Sequence, residues 1–360
     1  MKKKYIDLTK FEKPGYPYSI VIGGRASGKS YWVKRFCVDR AFRDPEHKFV
    51  YLRRYQIESK PADIEGYFRD CPVSDITHGQ YTKIVVYRGS IFLASVDPET
   101  GKTVRGAVIG YVIHLSNEVH FKSQNYNDVQ EIIFEEFIVS NGAYLWREPE
   151  ALQSLISTVA RRRKIRVWMI GNTVSRICPY FKEYGIERKL LEMKPGTIAV
   201  CEHETDQINE DGQPVKVRIG VYYTEQPDDA QQMFFGKIAK MTTGGDWQTR
   251  SYPHLPYHYR DCRKQYNVLL KHNSFLFNME IVKSPKSEYM IFIHPHTGKT
   301  EDQRIIDTDP NPSPLVTKKL DPRRRGDRLL KYLYDTGTVF YSDNLTGADF
   351  EGVMKEVGSL

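Results

Sequence analysis

The chain has 360 residues, 40% of them hydrophobic, and its 53 basic and 45 acidic residues give a formal net charge of +8. This length suffices for about two domains with buried cores, and the positive balance favours a polyanionic partner. No run of about 18 apolar residues is present, and no apolar stretch follows the charged start, so we expect neither a membrane span nor a secretory signal. Five scattered cysteines without a C-x-x-C pair indicate reduced thiols, as in a cytoplasmic protein.

The first motif in the chain is G-x-x-x-x-G-K-S at residues 23–30, between a strand pattern at 18–22 and a helical pattern at 30–37. This is the setting of a loop that binds nucleotide phosphates through its backbone and a helix N-terminus. Lys29 can reach the β- and γ-phosphates and Ser30 can ligate magnesium, so the motif predicts ATP and Mg²⁺ as cofactors. The predicted nucleotide-binding residues are Gly23, Gly24, Arg25, Ala26, Ser27, Gly28, Lys29, Ser30 and Tyr31.

The next elements carry basic residues. Residues 48–54 predict a strand that ends in two arginines, and a short helix, a hairpin turning at Gly89 and an apolar run at 107–115 follow. The polar segment 116–128 predicts a loop whose only lysine is Lys122. We interpret Arg53, Arg54 and Lys122 as candidate phosphate contacts, either to DNA or across a subunit interface. Each is a weak signal, because exposed lysine and arginine are common.

Residues 131–137 predict a buried strand that ends in the paired acids Glu135 and Glu136. In phosphoryl transfer, the acid directly after such a strand accepts a water of the magnesium shell, and the next acid can polarise the attacking water. The usual first acid is aspartate, and here it is Glu135, which is one methylene longer. This departure leaves open which carboxylate has which role. Two exposed acids that merely cap a strand are the structural alternative.

A helix at 149–161 and a strand at 165–173 come next, separated by three arginines. This run is either a solvated helix end or the source of an arginine finger that reaches a neighbouring subunit's ATP. The sequence does not separate Arg161 from Arg163 in that role. Asn172 ends the strand, where its amide can hydrogen-bond the γ-phosphate or the attacking water.

The composition changes near residue 200. We predict an α/β domain with a mostly parallel sheet flanked by helices at 1–202, a linker or small subdomain at 203–264, and an α+β domain at 265–360. The linker contains one helical stretch, at 228–241. His294-Pro295-His296 is half of a metal pattern at most, and a turn after a strand is the favoured interpretation.

Together, these motifs resemble the DNA-packaging (encapsidation) ATPases of small tailed bacteriophages with protein-primed genomes. The resemblance covers roughly residues 18–185. The similar stretches lie at residues 21–31, 51–55, 133–138, 171–175 and 179–181.

The resemblance implies an additional-strand (ASCE) P-loop ATPase domain and an RNase H-like C-terminal domain that is a vestigial nuclease. It implies a homomeric ring, expected to be a pentamer, that drives double-stranded DNA into an empty head. The ring would work in the host cytoplasm, transiently docked on the portal (connector) vertex of the procapsid. By position, Lys29 and Ser30 carry over as nucleotide and metal contacts and Glu136 as the catalytic acid. One arginine of 161–163 carries over as the residue that acts in trans.

The sequence leaves two alternatives open. A terminase-like protein with a live nuclease would need at least three convergent carboxylates in the C-terminal part. The candidates are Asp307, Asp309, Asp321, Asp343 and Asp349. A nucleotide-dependent DNA-binding switch without translocation is the other alternative, and the paired acids argue against it.

Overall fold

The computed structural model describes residues 5–117, 125–139, 142–209, 211–225, 247, 250–300, 303–309, 317 and 319–358. Its elements form two compact units. The first draws on Met1–Val139, Ala143–Thr173 and Glu192–Asp246, and the second on Ser140–Gly142, Val174–Leu191 and Trp247–Leu360. Within the described ranges, no helix combines the length and the apolar composition that crossing a membrane requires.

The described helices are short to medium in length. They are α1 (Thr9–Glu12), α2 (Lys29–Arg43), α3 (Pro61–Phe68), α4 (Val73–Ile76), α5 (Glu148–Ala160), α6 (Pro179–Glu183), α7 (Glu187–Glu192), α8 (Arg325–Asp335) and α9 (Asn344–Val357).

The described strands belong to two sheets. They are β1 (Tyr18–Gly23), β2 (Lys48–Arg53), β3 (Lys83–Tyr87), β4 (Ser90–Val96), β5 (Thr103–His114), β6 (Val129–Glu135), β7 (Arg166–Asn172), β8 (Thr197–Ile208), β9 (Pro214–Tyr223), β10 (Arg263–His272), β11 (Phe275–Lys283), β12 (Tyr289–Pro295), β13 (Ile305–Asp307) and β14 (Val339–Tyr341).

The sheet of the first unit has the strand order β3-β4-β5-β2-β6-β7-β1-β9-β8. The strands from β5 to β9 in this order are parallel, and β3, β4 and β8 add antiparallel edges. Central strands such as β1 and β6 bury consecutive residues, as expected when both faces of a parallel sheet are covered. The predicted mostly parallel sheet is therefore confirmed, and its parallel strands end at one common edge.

The second unit contains a mixed sheet in the order β13-β10-β11-β12-β14. Strands β10, β11 and β12 form an antiparallel meander, while β13 lies parallel to β10 and β14 parallel to β12. Apolar residues of α8 and α9, among them Leu330, Phe350 and Val353, share a core with Leu270 and Phe277 of the sheet. This core is separate from the one in the first unit.

The observed units differ from the predicted boundaries. Residues 203–208 and 214–223, predicted as linker, belong to β8 and β9, which complete the large sheet. This hairpin lies at an edge and exposes one face, so its sequence is polar and shows little of the pattern of a buried strand. Strand β10 crosses the predicted boundary at 264. The predicted helix at 228–241 lies outside the described residues.

Candidate functional site

The loop between β1 and α2 turns at two glycines whose backbone conformations disfavour side chains. Gly23 has φ 154°, and a Cβ there would lie 2.0 Å from Thr224 Oγ1. Gly28 has φ 92° and caps α2, and a Cβ there would meet the ring of Tyr5. That ring also packs at 4.7 Å from the ring of Tyr31. The strand, glycine turn and helix N-terminus form the arrangement that binds phosphate groups.

Lys29 lies inside this loop with only 6% of its surface exposed. Its ammonium donates hydrogen bonds to the carbonyl oxygens of Gly24 (2.6 Å) and Gly23 (3.2 Å), to Ser27 Oγ (3.1 Å) and to Asn172 Oδ1 (3.3 Å). Burial lowers the pKa of Lys29 to about 8, although the charge of Glu135 acts in the opposite direction. The structure thus brings the predicted residues Lys29 and Asn172 together.

Strand β7 lies between the phosphate-loop strand β1 and the acid-bearing strand β6. In the registers of these strands, Gly23 pairs with Asn172, and Ile170 of β7 pairs with Glu135. Neighbouring strands are about 4.8 Å apart, so β1 and β6 are separated by roughly 10 Å at this edge. Asn172 at the end of β7 and Glu135 at the end of β6 therefore both lie beside the glycine loop.

Glu135 ends β6 and is 7% exposed. Its Oε1 accepts a hydrogen bond from the Tyr67 hydroxyl at 2.6 Å, and the Ser30 hydroxyl lies close enough to the carboxyl group to favour its charged form. Burial raises the pKa of Glu135, while these hydroxyl groups and the charge of Arg53 oppose the rise. Glu135 and Ser30, which the sequence predicted to share a metal ion, are therefore adjacent.

The oxygen ligands of Glu135 and Ser30 fit the preference of magnesium. Mg²⁺ is usually held by one or two carboxylates together with substrate phosphates. Within the described ranges, no lysine, arginine or histidine forms an ion pair with the buried Glu135. The Ser30 hydroxyl and the buried Glu135 carboxylate, which has no ion-paired cation in those ranges, are therefore a suitable set of oxygen donors for Mg²⁺.

Glu136 has a different environment from its neighbour. Its side chain is 61% exposed, and its Oε2 accepts a hydrogen bond from Arg53 Nη2 at 2.9 Å. Its φ of 55° is strained for a residue with a side chain. Strained backbone of this kind accumulates at functional sites. Arg53, predicted as a DNA contact, is thus paired here with the predicted catalytic acid and also lies 3.5 Å from Glu58.

The structure contradicts the predicted role of Arg54 as a DNA contact, because Arg54 is 3% exposed and cannot present its charge to DNA. Its guanidinium forms a two-point ion pair with the buried Glu148, at 2.8 and 2.9 Å. It also donates to the carbonyl oxygens of Glu136 (3.1 Å) and Phe137 (3.0 Å). Arg54 therefore links the backbone at Glu136 and Phe137 to Glu148 at the start of α5. A pair of arginines at a strand end does not reveal this role in the sequence.

The three arginines after α5 lie at the opposite end of β7 from Asn172. Since β7 spans seven residues, they lie roughly 20 Å from the glycine loop of their own chain. Arg163 donates to the carbonyl oxygens of Val129 (2.6 Å), Tyr126 (2.7 Å) and Val159 (2.7 Å). Those contacts tie Arg163 to its own chain and argue against it as a finger, whereas Arg161 is exposed.

The remaining candidates have partners of their own or lie outside the described residues. Lys122 lies outside the described residues. In the second unit, Asp307 pairs with Lys271 and Asp349 with Arg176, while Asp343 caps α9 by accepting from the backbone of Thr346. Within the ranges that the structure describes, no three histidine, cysteine or acidic residues group so as to hold a metal ion.

Residues 16–190 match the profile of a protein family described as podovirus DNA encapsidation protein (Gp16). The DNA packaging proteins of Bacillus phages PZA and phi29 are each 34% identical to the chain over 171 residues, which is 47% of this chain and 46% of theirs. The match thus spans about half the length of these curated relatives.

A solved structure of the bacteriophage phi29 viral genome packaging motor assembly has the same fold. The comparison covers 98% of this chain and 99% of that one, with 20% identity and a TM-score of 0.54. The segment that matches the family model contains the glycine loop, the paired acids and Asn172, so the candidate site lies wholly within it. Over residues 16–190, the chain is similar to the podovirus DNA encapsidation protein (Gp16) family.

Proposed function

We propose that the chain is an ATP-hydrolysing motor that moves double-stranded viral DNA into an empty phage procapsid. The observation that carries this proposal is the meeting of Lys29, Ser30, Glu135, Glu136 and Asn172 at the ends of β1, β6 and β7. A phosphate-binding loop facing two carboxylates is the arrangement that phosphoryl transfer to water requires. The additional-strand (ASCE) assignment is supported by β7, which separates β1 from β6.

Each residue has a distinct role in this proposal. Lys29 and the loop backbone bind the ATP phosphates, and Ser30 with Glu135 would hold Mg²⁺, which neutralises phosphate charge. Glu136 accepts a proton from the attacking water, since its carboxylate is exposed at the end of β6. Arg53 orients Glu136, and Asn172 lies where it can contact the γ-phosphate.

The motor assembly is proposed from the relatives and from charge. The relatives' names state DNA packaging, and the net charge of +8 suits a polyanionic track. We propose a homomeric ring, with five subunits as the expected number, at the portal (connector) of the procapsid in the host cytoplasm. Arg161 is exposed far from its own glycine loop, which suits an arginine that acts on a neighbouring subunit's ATP.

For the second unit, we propose an RNase H-like fold without nuclease activity. The mixed sheet with flanking helices supports the fold, and the separate ion pairs of its acids support the lack of activity. Metal-dependent nucleases need carboxylates that converge, and the described residues show no such group. The active-nuclease alternative is therefore the less favoured one.

The test is ATP turnover by the purified chain with and without double-stranded DNA. We expect DNA to stimulate turnover several-fold, Lys29→Ala to abolish nucleotide binding, and Glu136→Gln to bind nucleotide while turning it over at least about 100-fold more slowly. Turnover unaffected by Lys29→Ala would refute the ATPase. Turnover without stimulation by DNA would favour the switch, and metal-dependent cleavage of supercoiled DNA would favour the nuclease.

A further inference from the structure

Tyr67, a residue of α3, contacts the proposed cation site through its hydroxyl group. The hydroxyl donates to Glu135 Oε1 at 2.6 Å, the shorter end of the range for such bonds. The Ser30 hydroxyl, in the first turn of α2, lies near the same carboxyl group. Glu135 is therefore held by the Tyr67 hydroxyl of α3 beside the Ser30 hydroxyl of α2.

The position of Tyr67 is itself fixed by α2. Lys34, one helical turn after Ser30, is 4% exposed and donates to the backbone carbonyl of Tyr67 at 2.6 Å. The Lys34 ammonium also lies 4.6 Å from the centre of the Tyr67 ring and forms an ion pair with Asp70. The ring of Tyr51 packs against the Tyr67 ring, with 4.7 Å between the two ring centres. These contacts restrain both the backbone and the ring of Tyr67.

The length of Glu135 explains why such a restraint is useful. The acid that holds magnesium with the loop serine is an aspartate in P-loop NTPases. Glutamate adds one methylene and one rotatable bond, so its carboxyl group loses more conformational freedom when it is held in place. A hydrogen-bond donor that fixes one carboxyl oxygen restricts the conformational freedom of the carboxyl group. Hydrogen-bond partners of this kind orient metal ligands in proteins.

We propose that Tyr67 is a positioning residue for the cation site, holding Oε1 of Glu135 so that the carboxyl group stays directed toward Ser30. This inference rests on the proposed function, since it assumes a metal–nucleotide complex at the glycine loop. Tyr67 acts through Glu135 and touches no nucleotide in this scheme. The hydroxyl, rather than the ring, is the group that matters.

The experiment compares Tyr67→Phe with Tyr111→Phe in the full chain. Tyr111 is a matched control, because its hydroxyl donates to Asp128 Oδ2 at 2.9 Å, beside the opposite end of β6. Mn²⁺ binding in the presence of a non-hydrolysable ATP analogue is followed by electron paramagnetic resonance, at a temperature where all variants are folded. We expect Tyr67→Phe to weaken Mn²⁺ binding about 10-fold, in the range for partners of metal ligands, and Tyr111→Phe to leave it unchanged.

A double-mutant cycle shows whether Tyr67 acts through Glu135. The shorter carboxylate of Glu135→Asp is not expected to reach the Tyr67 hydroxyl, so adding Tyr67→Phe to it should change Mn²⁺ binding less than twofold. A Tyr67→Phe protein that binds Mn²⁺ like the control would overturn the inference, and so would an undiminished effect in the Glu135→Asp background. If the unsubstituted chain bound no metal–nucleotide complex, the proposed function would fail instead.

Discussion

Two buried glutamates, one in each unit, are held in opposite ways. Glu280 on β11 is 3% exposed, and its carboxyl group accepts hydrogen bonds from Lys264 and Tyr259, both at 2.5 Å. Burial alone would raise its pKa, but interactions with His294, Lys264 and Tyr259 outweigh burial and hold the pKa at about 2. Glu135 accepts from the Tyr67 hydroxyl instead of pairing with a cation among the described residues, and burial raises its pKa.

The difference separates a structural acid from one available to a ligand. A buried carboxylate that already has a cation gains little from another, whereas one without such a partner is costly unless something charged arrives. Two other buried acids of the second unit, Asp307 and Asp327, are held like Glu280, whereas burial raises the pKa of Asp349 although it pairs with Arg176. Asp327, for example, accepts from Arg304, from the Tyr266 hydroxyl (2.6 Å) and from the backbone of Asp321 (2.6 Å). Burial alone would not have distinguished Glu135 from these ion-paired acids.

Replacing Glu135 with glutamine tests the ligand side of this comparison and should have the largest effect. We expect Glu135→Gln to lower ATP turnover at least about 100-fold, because a metal-assisted reaction loses several kcal/mol of charge stabilisation. The free energy of unfolding should stay the same or rise, since a buried charge disappears. Turnover assays and urea unfolding measure the two quantities, and a strongly destabilised variant would contradict the distinction.

Asp327→Ala tests the structural side. It leaves the Arg304 guanidinium without its carboxylate, so we expect a loss of about 3–5 kcal/mol in unfolding free energy. Asp335→Ala is the matched control, because its ion pair with Lys331 is exposed and should be worth less than about 0.5 kcal/mol. Equal losses in the two variants would show that burial of the pair is unimportant here.

Glu280→Gln should destabilise the chain in a pH-dependent manner. Because the folded pKa of Glu280 lies below the ordinary 4.5, its stabilisation is present above pH 4.5 and disappears as the pH falls through about 2. We expect a deficit near pH 7 of up to about 3 kcal/mol relative to the unsubstituted chain, shrinking toward pH 2. Calorimetry across this range gives the difference, and a deficit independent of pH would point to lost packing instead.

Arg163→Ala and Arg161→Ala extend the comparison to cations and should have the smallest effects on stability. Arg163→Ala removes three hydrogen bonds to carbonyl oxygens, so we expect the free energy of unfolding to fall by about 1–3 kcal/mol, whereas Arg161→Ala should lower it by less than about 0.5 kcal/mol.

Mixing Arg161→Ala with Lys29→Ala subunits should restore turnover, because the Lys29→Ala subunit still supplies Arg161. Absence of restoration would argue against action in trans.

The sequence predicted the parts of the molecule in which local pattern and structure agree. The glycine loop, the strands that end in Glu135 and Asn172, and helix α5 all have strong periodicity or a spaced motif. Their convergence followed from the rule that parallel strands end at one edge of a sheet. The identity of the residues at that edge could therefore be predicted before their distances were known.

The remaining features depend on contacts between distant residues. The pairing of Arg54 with Glu148 joins positions 94 apart, and paired arginines at a strand end look like surface charge in a sequence. Tyr67 looks like an ordinary apolar residue of an amphipathic helix, although its hydroxyl serves Glu135. Strands β8 and β10 carry many charged residues, which masks their alternation.

The position of β9 has a consequence for synthesis and for truncation. This strand, from residues 214–223, flanks β1 on the side away from β7, although every residue of the proposed site precedes it in the chain. A polypeptide cut at residue 202 would leave β1 with an open apolar edge, and such edges promote aggregation. The phosphate-binding half of the protein should therefore be soluble by itself only when it is extended through residue 223. During synthesis on the ribosome, this edge of β1 stays unpaired until residue 223 has emerged.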